Sequence, residues 1–297
     1  MVSSSGPDRD TPAKPAPLKV LTAEQRARYE RDGFLAVAAL VDAPWLERLR
    51  ATTAQFVEHS RSLTESNVLF DLEPDHSAAV PRLRRLVSPV DLHETFWEFA
   101  SRSVIVDLVA DLIGADVKFH HSKLNFKAAR GGEEVKWHQD IQFWPHTNYS
   151  PLTVGVFLTD VESGMGNVGF VPGSHAGELF DQYDGEQWIG CIRDSDLARV
   201  DLASAVFPVG PAGTVTVHNC RTVHGSAPNR SGRERPLLLQ TYAAADAFAY
   251  TDIVKRSPHG DMLIRGKPAR WARHDPRPCQ VGPAETRTIF QVQQAGR

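Results

Sequence analysis

The chain has 297 residues, 41% of them hydrophobic and 23% charged, with a formal net charge of −3. That is ample material for a core, and the near-neutral balance leaves neither a basic face for nucleic acid nor a polybasic helix for an anionic membrane. The three cysteines, Cys191, Cys220 and Cys279, lie far apart with no CxxC pair. This argues against a disulfide scaffold and a thiolate zinc site, and makes the reducing cytoplasm the expected compartment. No apolar run approaches the ~20 residues needed to cross a bilayer. The first stretch, MVSSSGPDRDTPAKPAP, lacks the apolar segment of a secretory signal.

Residues 1–19, rich in Ser, Pro and Asp, are expected to form a disordered tail, with a single domain over 20–297. Thr22, with Gln25 three residues on, predicts a capped helix that stops near Gly33. FLAVAAL (34–40) reads as a strand and the stretch from Pro44 to about Ser60 as a second, amphipathic helix. Residues 61–92 look loop-like and able to close over a pocket. Within them Arg82, Arg84 and Arg85 could meet an anionic substrate, though a solvated charge cluster is the simpler expectation. Residues 94–114 carry apolar groups at helical spacing and end at Gly114, a good C-cap.

Beyond Gly114 the period changes. VKFHHSKLNFKAA, LTVGVFLTDV, VGFVPGSH, GTVTVHNC, TVHGSAPN and RPLLLQTYAAA are short, β-branched and separated by Gly, Pro, Asn and Asp. Strands at this density after a helical first third predict a mainly β fold, an antiparallel sandwich or barrel with flanking helices. GMGNVG (164–169) lies between two strand-like runs, so it reads as a hairpin turn and not as a phosphate loop. Residues 181–205 lie between core strands and are expected to form part of a lid or pocket rim.

The chemistry is concentrated in WHQD. His138 and Asp140 are two apart, so on an extended strand their side chains emerge on one face. A non-haem iron(II) site needs two neutral imidazoles and one carboxylate on one side of the ion, leaving positions open for co-substrates. For the third donor, His224 ends a short apolar strand ahead of a polar loop, and Arg235 follows eleven residues later at the head of RPLLLQTY. That arginine could fork onto a metal-held carboxylate. His218, in VTVHNC, competes for the third position, but its spacing to Arg235 does not match. Simpler readings stand beside these: Asp140 as a turn cap, Arg235 as a surface ion-pair partner.

LTAEQRARYERDGFLAV, HHSKLNFKAARGGEEVKWHQDIQFW, GNVGFVPGSHAGEL and TVHGSAPNRSGRERPLLLQTY together resemble the phytanoyl-CoA dioxygenase-like family of iron(II)- and 2-oxoglutarate-dependent oxygenases, which includes ectoine hydroxylase. The resemblance implies a double-stranded β-helix (jelly-roll, cupin-like) core. It implies that His138, Asp140 and His224 ligate iron and that Arg235 binds the distal carboxylate of 2-oxoglutarate. It also places Ser226 and Asn125 beside that co-substrate, and His121 on the same face as Asn125, where family members often carry Gln. His175, in PGSH, is expected to be structural, Phe143 and Trp144 to wall a pocket, and His146 to be at most a rim residue.

The activity so implied is hydroxylation of a small molecule using O₂, with release of succinate and CO₂. Because Asp140 is present, hydroxylation is favoured over halogenation, which needs that position free for chloride; desaturation, epoxidation and ring formation stay open. An amino-acid-like or specialised-metabolism substrate is the expectation. Two other classes share the pattern: a cupin-type hydrolase or isomerase using the same triad with another metal, and a non-catalytic jelly-roll binding module.

Overall fold

The computed structural model describes residues 17–252, 257–283 and 287–295, so most of the expected tail lies outside the described residues. In chain order the elements are α1 (Ala23–Asp32), β1 (Phe34–Val37), α2 (Ala43–Ser60), β2 (Phe70–Leu72), β3 (Leu83–Val87), α3 (Pro89–Leu92), α4 (Glu94–Arg102) and α5 (Val104–Ile113). They continue with β4 (Val117–Lys127), β5 (Val135–His138), β6 (Leu152–Phe157), β7 (Val168–Phe170), β8 (Tyr183–Asp184), β9 (Gln187–Trp188) and α6 (Asp194–Leu197). The chain closes with β10 (Val215–Asn219), β11 (His224–Ser226), β12 (Arg235–Ala244), β13 (Leu263–Arg265) and α7 (Ile289–Ala295).

A large antiparallel sheet runs β1-β10-β6-β12-β4-β3-β2, with β13 paired to β4, and a small sheet runs β5-β11-β7. From β4 to β7 the chain alternates between the two, and it does so again from β10 to β12. This is the winding of a double-stranded β-helix. Side-chain alternation decides which face does what. Val154 and Val156 of β6, Val215 and Val217 of β10, and Leu238 and Tyr242 of β12 join one apolar cluster with Phe96, Phe99, Ile105 and Leu108 of α4 and α5. Thr153, Thr216 and His218 take the opposite face, into the barrel. Burying each large apolar side chain in that cluster contributes about 1.5–3 kcal/mol, so the helices hold the outer face of the sheet and leave the inner face to polar groups.

The capping box of α1 forms as predicted, with Thr22 and Gln25 bonded reciprocally and Gly33 closing the helix at φ 78°. The span 94–114 differs from expectation: it is two helices. Ser103 is extended (φ −81°, ψ 179°), and its side chain accepts from the backbone of Ile105, so it caps α5 and ends α4. Helical periodicity ran through the junction because both helices bury the same side.

Residues 61–92 are loop over most of their length, as expected, but β2 and β3 within them extend the large sheet. Their arginine cluster is not solvated. Arg84 is buried between Asp71 Oδ1 (3.7 Å) and Glu73 Oε2 (3.2 Å), and Arg85 faces the barrel interior. Alternation along β3 sends consecutive arginines to opposite sides, which composition alone hides. Where the expected tail meets the domain the chain is tied down: Asp111 accepts from the backbone N–H groups of Lys19, Val20 and Leu21.

The C-terminal helix α7 closes one side of the barrel. Phe290 is 2% exposed and lies 5.5 Å beneath the Arg84 guanidinium, while the Gln293 side chain donates to Gly190 O and accepts from Lys136 N. Phe290→Ala should therefore cost about 3 kcal/mol and release α7 first. Hydrogen exchange over residues 288–295 is expected to accelerate well beyond the rest of the chain; unchanged protection there would contradict this packing.

Candidate metal centre

His138 is the last residue of β5 and pairs directly with His224, the first of β11, bringing the rings to 4.1 Å between centroids. The intervening Gln139 points away from the barrel and is locked there. Its amide donates to Glu178 O (3.0 Å) and Arg221 O (2.7 Å) and accepts from Phe180 N (2.9 Å). With Gln139 fixed outward, His138 and Asp140 both turn inward. The strand ends at His138, and Asp140 opens the 3₁₀ turn Asp140–Gln142.

Asp140 Oδ1 lies 3.6 Å from His138 Nε2 and 3.8 Å from His224 Nε2, and one donor atom from each of the three residues lies within 4.8 Å of the others. Each histidine is pinned through its other nitrogen, His138 Nδ1 at 2.8 Å from Lys136 O and His224 Nδ1 at 2.9 Å from Thr222 O. Those carbonyls only accept, so the protons sit on Nδ1 and the Nε2 lone pairs face Asp140. A divalent ion of the iron type fits this donor set.

His218, the sequence competitor, is also here in a different role. Its Nε2 lies 3.3 Å from Asp140 Oδ2, the same oxygen that Thr153 Oγ1 donates to at 3.3 Å, and its Nδ1 has no hydrogen-bond partner among the described residues. A nitrogen that donates to a carboxylate cannot also give a metal its lone pair. His218 and Thr153 hold one oxygen of Asp140 so that the other faces the two imidazoles. Burial alone would raise the Asp140 pKa, but the donor His218 and the cation of Lys123 work against it and the carboxyl is held well below the usual range. Burial, reinforced by His138 and His218, drives His224 well below its ordinary value, toward the neutral form that binds metals.

Beside the triad lies a narrow cleft of about 50 Å³ lined by Asn125, Ser226 and Arg235. Arg235 donates to Met165 O (3.4 Å) and Gly166 O (2.5 Å), and burial draws it down to about 10. The 164–169 turn thus aims the arginine. Gly166 has φ 68°, and a Cβ there would lie 2.8 Å from Ala227 O, so the turn needs glycine. No ion pair to Arg235 forms among the described residues, and Asn125 Oδ1 has no partner. A dicarboxylate that chelates a metal through one end would satisfy both, so 2-oxoglutarate fits.

A chamber of about 540 Å³ adjoins the cleft, and Lys123 and Asp140 line both. Phe143 and Trp144 wall it as expected, and Trp188 packs edge-on against Phe143 at 5.2 Å between ring centroids. His121 shares the inward face of Asn125 but borders this chamber and not the cleft. A bulge explains its surroundings: Thr241 pairs with His121 while Tyr242 pairs with Phe119, so His120 is extra and also turns inward. His120 Nδ1 meets His121 Nδ1 at 2.6 Å. Of the rim expected over 181–205, Trp188 reaches the chamber, whereas Cys191 and Ile192 are buried. His146 is 1% exposed, its ring tilted against that of His120 at 5.0 Å between centroids, and not at the chamber rim. His175 Nε2 lies 3.2 Å from Glu30 O, far from the triad in role.

Sequence reasoning missed Lys123, Lys127, His120 and the contact of His218, and it named Arg85 only within a cluster expected to be solvated. Lys127 sits directly opposite Arg235 in register and lines the same cleft. The period-2 pattern N125-x-K127 carried its signal.

A barrel holding a buried His–Asp–His group next to a buried, carboxylate-free arginine defines the class of non-haem iron, 2-oxoglutarate-dependent oxygenases. Comparison with known proteins agrees. The phytanoyl-CoA dioxygenase (PhyH) family profile matches residues 29–237. A probable alpha-ketoglutarate-dependent hypophosphite dioxygenase of Stutzerimonas stutzeri is 30% identical over 84% of this chain and 88% of its own. An ectoine dioxygenase of Stutzerimonas stutzeri (strain A1501) is 25% identical over 80% and 82%. The crystal structure of EctD from S. alaskensis with bound Fe superposes with a TM-score of 0.69 at 20% identity, covering 84% of this chain and 88% of that one, and so shares the fold. The chain belongs to the phytanoyl-CoA dioxygenase family and is an iron(II)- and 2-oxoglutarate-dependent dioxygenase.

The two roles assigned to the histidines separate in a metal titration. His224→Ala should abolish stoichiometric binding of iron(II) under anaerobic conditions. His218→Ala should retain one ion with affinity reduced about 10–100-fold, as expected for a residue that orients a ligand. The reverse order would assign the third donor to His218.

Proposed function

We propose that His138, Asp140 and His224 hold the iron and that Arg235, with Asn125 and Ser226, binds 2-oxoglutarate. The reaction is hydroxylation of a C–H bond of a small molecule seated in the adjoining chamber. The observation that carries this reading is the cleft itself: a buried guanidinium without a carboxylate partner among the described residues opens onto the same space as the three donors. When bound, iron and 2-oxoglutarate together reduce O₂, with release of succinate and CO₂ and oxidation of the substrate.

The chain supplies placement. Arg235, held by two backbone carbonyls, presents the rest of its fork to the far end of the co-substrate. Asn125 and Ser226 add a polar edge on either side. Asp140 keeps a single oxygen toward the metal because Thr153 and His218 occupy the other. Ile289 and Phe290 of α7 cover the cleft and exclude water, which strengthens the arginine–carboxylate pair. Presence of the Asp140 carboxylate favours hydroxylation over halogenation.

A cupin-type hydrolase or isomerase would give Arg235 no task, and a binding module would not need two imidazoles tautomerically fixed toward one carboxylate oxygen. Small-molecule substrates are supported by the relatives, which are named for hypophosphite and ectoine. No described helix is long and apolar enough to cross a membrane, and the cytoplasm is the compartment we assign. The chamber, at about 540 Å³, has the size of a small-molecule site, and a role in specialised metabolism is the one we assign.

Two variants test the assignment. Asp140→Ala should abolish succinate formation, and wild-type-like turnover would show the ligands to be misassigned. Arg235→Gln should keep metal stoichiometry but weaken 2-oxoglutarate about 100-fold, the scale of losing a buried, charge-assisted pair. An unchanged KM for 2-oxoglutarate would remove Arg235 from the co-substrate site.

A further inference from the structure

The chamber has a chemically divided wall. One side is aromatic: Phe143, Trp144 and Trp188. The other is formed by β3 and β4, where Arg85 pairs with Asn125 and Val87 with Lys123. Arg85 and Lys123 are therefore diagonal neighbours on one face, and both border the chamber. Like charges so placed oppose one another, and a folded protein tolerates the arrangement only with compensation.

The compensation inside the protein is thin. Arg84, the neighbour on the other face, takes Glu73 and the nearer oxygen of Asp71, and Asp71 Oδ2 accepts from Thr288 Oγ1 at 3.1 Å. Asp71 therefore reaches Arg85 only as a longer-range charge. Arg85 Nε is shut off from solvent and has no hydrogen-bond partner among the described residues. Asp140 favours the charge on Lys123, but that carboxylate is committed to the imidazoles and to the metal they would share. Among the described residues, two cationic side chains with unspent donors thus face a space large enough for an organic molecule, and Asp140 of the triad borders that space.

We propose that the chamber is a receptor for an anionic substrate, whose carboxylate or phosphorus oxyanion sits between Arg85 and Lys123 while its carbon skeleton lies against Phe143, Trp144 and Trp188. This rests on the oxygenase reading and narrows it to a substrate class. An oxyanion bridging the two cations supplies the hydrogen-bond acceptor Arg85 lacks and cancels the repulsion across the strands. Because Lys123 also borders Asp140, the anion anchors the substrate at the junction of chamber and cleft.

The test uses the wild-type protein loaded anaerobically with iron(II) and saturating 2-oxoglutarate, at fixed ionic strength. Acetate, methylphosphonate and the neutral acetamide are titrated in turn, and binding is read by tryptophan fluorescence and by the shift in melting temperature. At least one anion is expected to bind saturably and acetamide not to bind. Arg85→Gln should weaken the anion about tenfold or more, and Arg85→Lys should restore most of the loss. Stronger binding of methylphosphonate than acetate selects a phosphorus oxyanion, and the converse selects a carboxylate. Equal binding of acetamide, no saturable binding of either anion, or anion affinity unchanged in Arg85→Gln would overturn the proposal. The visible band of the iron–2-oxoglutarate chelate, recorded in the same samples, reports separately on the oxygenase reading. Its absence from the wild type would sink that reading whatever the anions do.

Discussion

A single carboxylate, Asp140, buried among three imidazoles, is the constraint from which the rest of the site follows. An ionised group so far from water is costly unless it is paired and hydrogen-bonded. Here Thr153 and His218 bond one oxygen, while His138 and His224 approach the other without donating to it, because carbonyls two residues upstream of each hold their protons. Asymmetry between the two oxygens suits a buried charge to the role of directed metal ligand proposed for it. Four separate strands meet to produce it, which is why the jelly-roll winding matters: β5 and β11 come from the small sheet, β6 and β10 from the large one.

The barrel is patterned inside out relative to an ordinary sandwich. An apolar strand face looks outward, onto α2, α4 and α5, and the interior carries Thr, His, Asn, Lys and Arg beside apolar groups such as Phe170, Leu237 and Leu239. The outer packing provides the stability that lets the inner wall hold poorly compensated groups. Lys127 stands opposite Arg235 across β4 and β12, and Arg85 stands diagonal to Lys123 across β3 and β4. Both cationic pairs are unfavourable on their own and point at space suited to anions. One is the space proposed for the co-substrate; the other is the chamber from which the substrate class is inferred.

Much of the site was legible because its signals are local. The HxD pair needs only a two-residue spacing, and His224 with Arg235 only a strand, a loop and the next strand. The ends of α1 could be read from Thr22, Gln25 and Gly33, since capping is short-range chemistry. What escaped was set by register. No sequence pattern says that His218 will sit across from Thr153, that a bulge will turn both His120 and His121 inward, or that Arg85 will face the chamber while Arg84 is spent on Asp71 and Glu73. The three-residue strand β2 and the break at Ser103 were hidden for a related reason: both depend on packing partners distant in the chain.

The central claim is that one iron and one 2-oxoglutarate occupy the space between the triad and Arg235. Anaerobic titration of the protein with iron(II) in the presence of 2-oxoglutarate, followed by visible absorption, tests it most directly. The account predicts a weak charge-transfer band that saturates at one equivalent of each, requires both together, and fails to develop when His224 is replaced by alanine. A protein that binds iron without developing the band, or develops it undiminished without His224, would contradict the account.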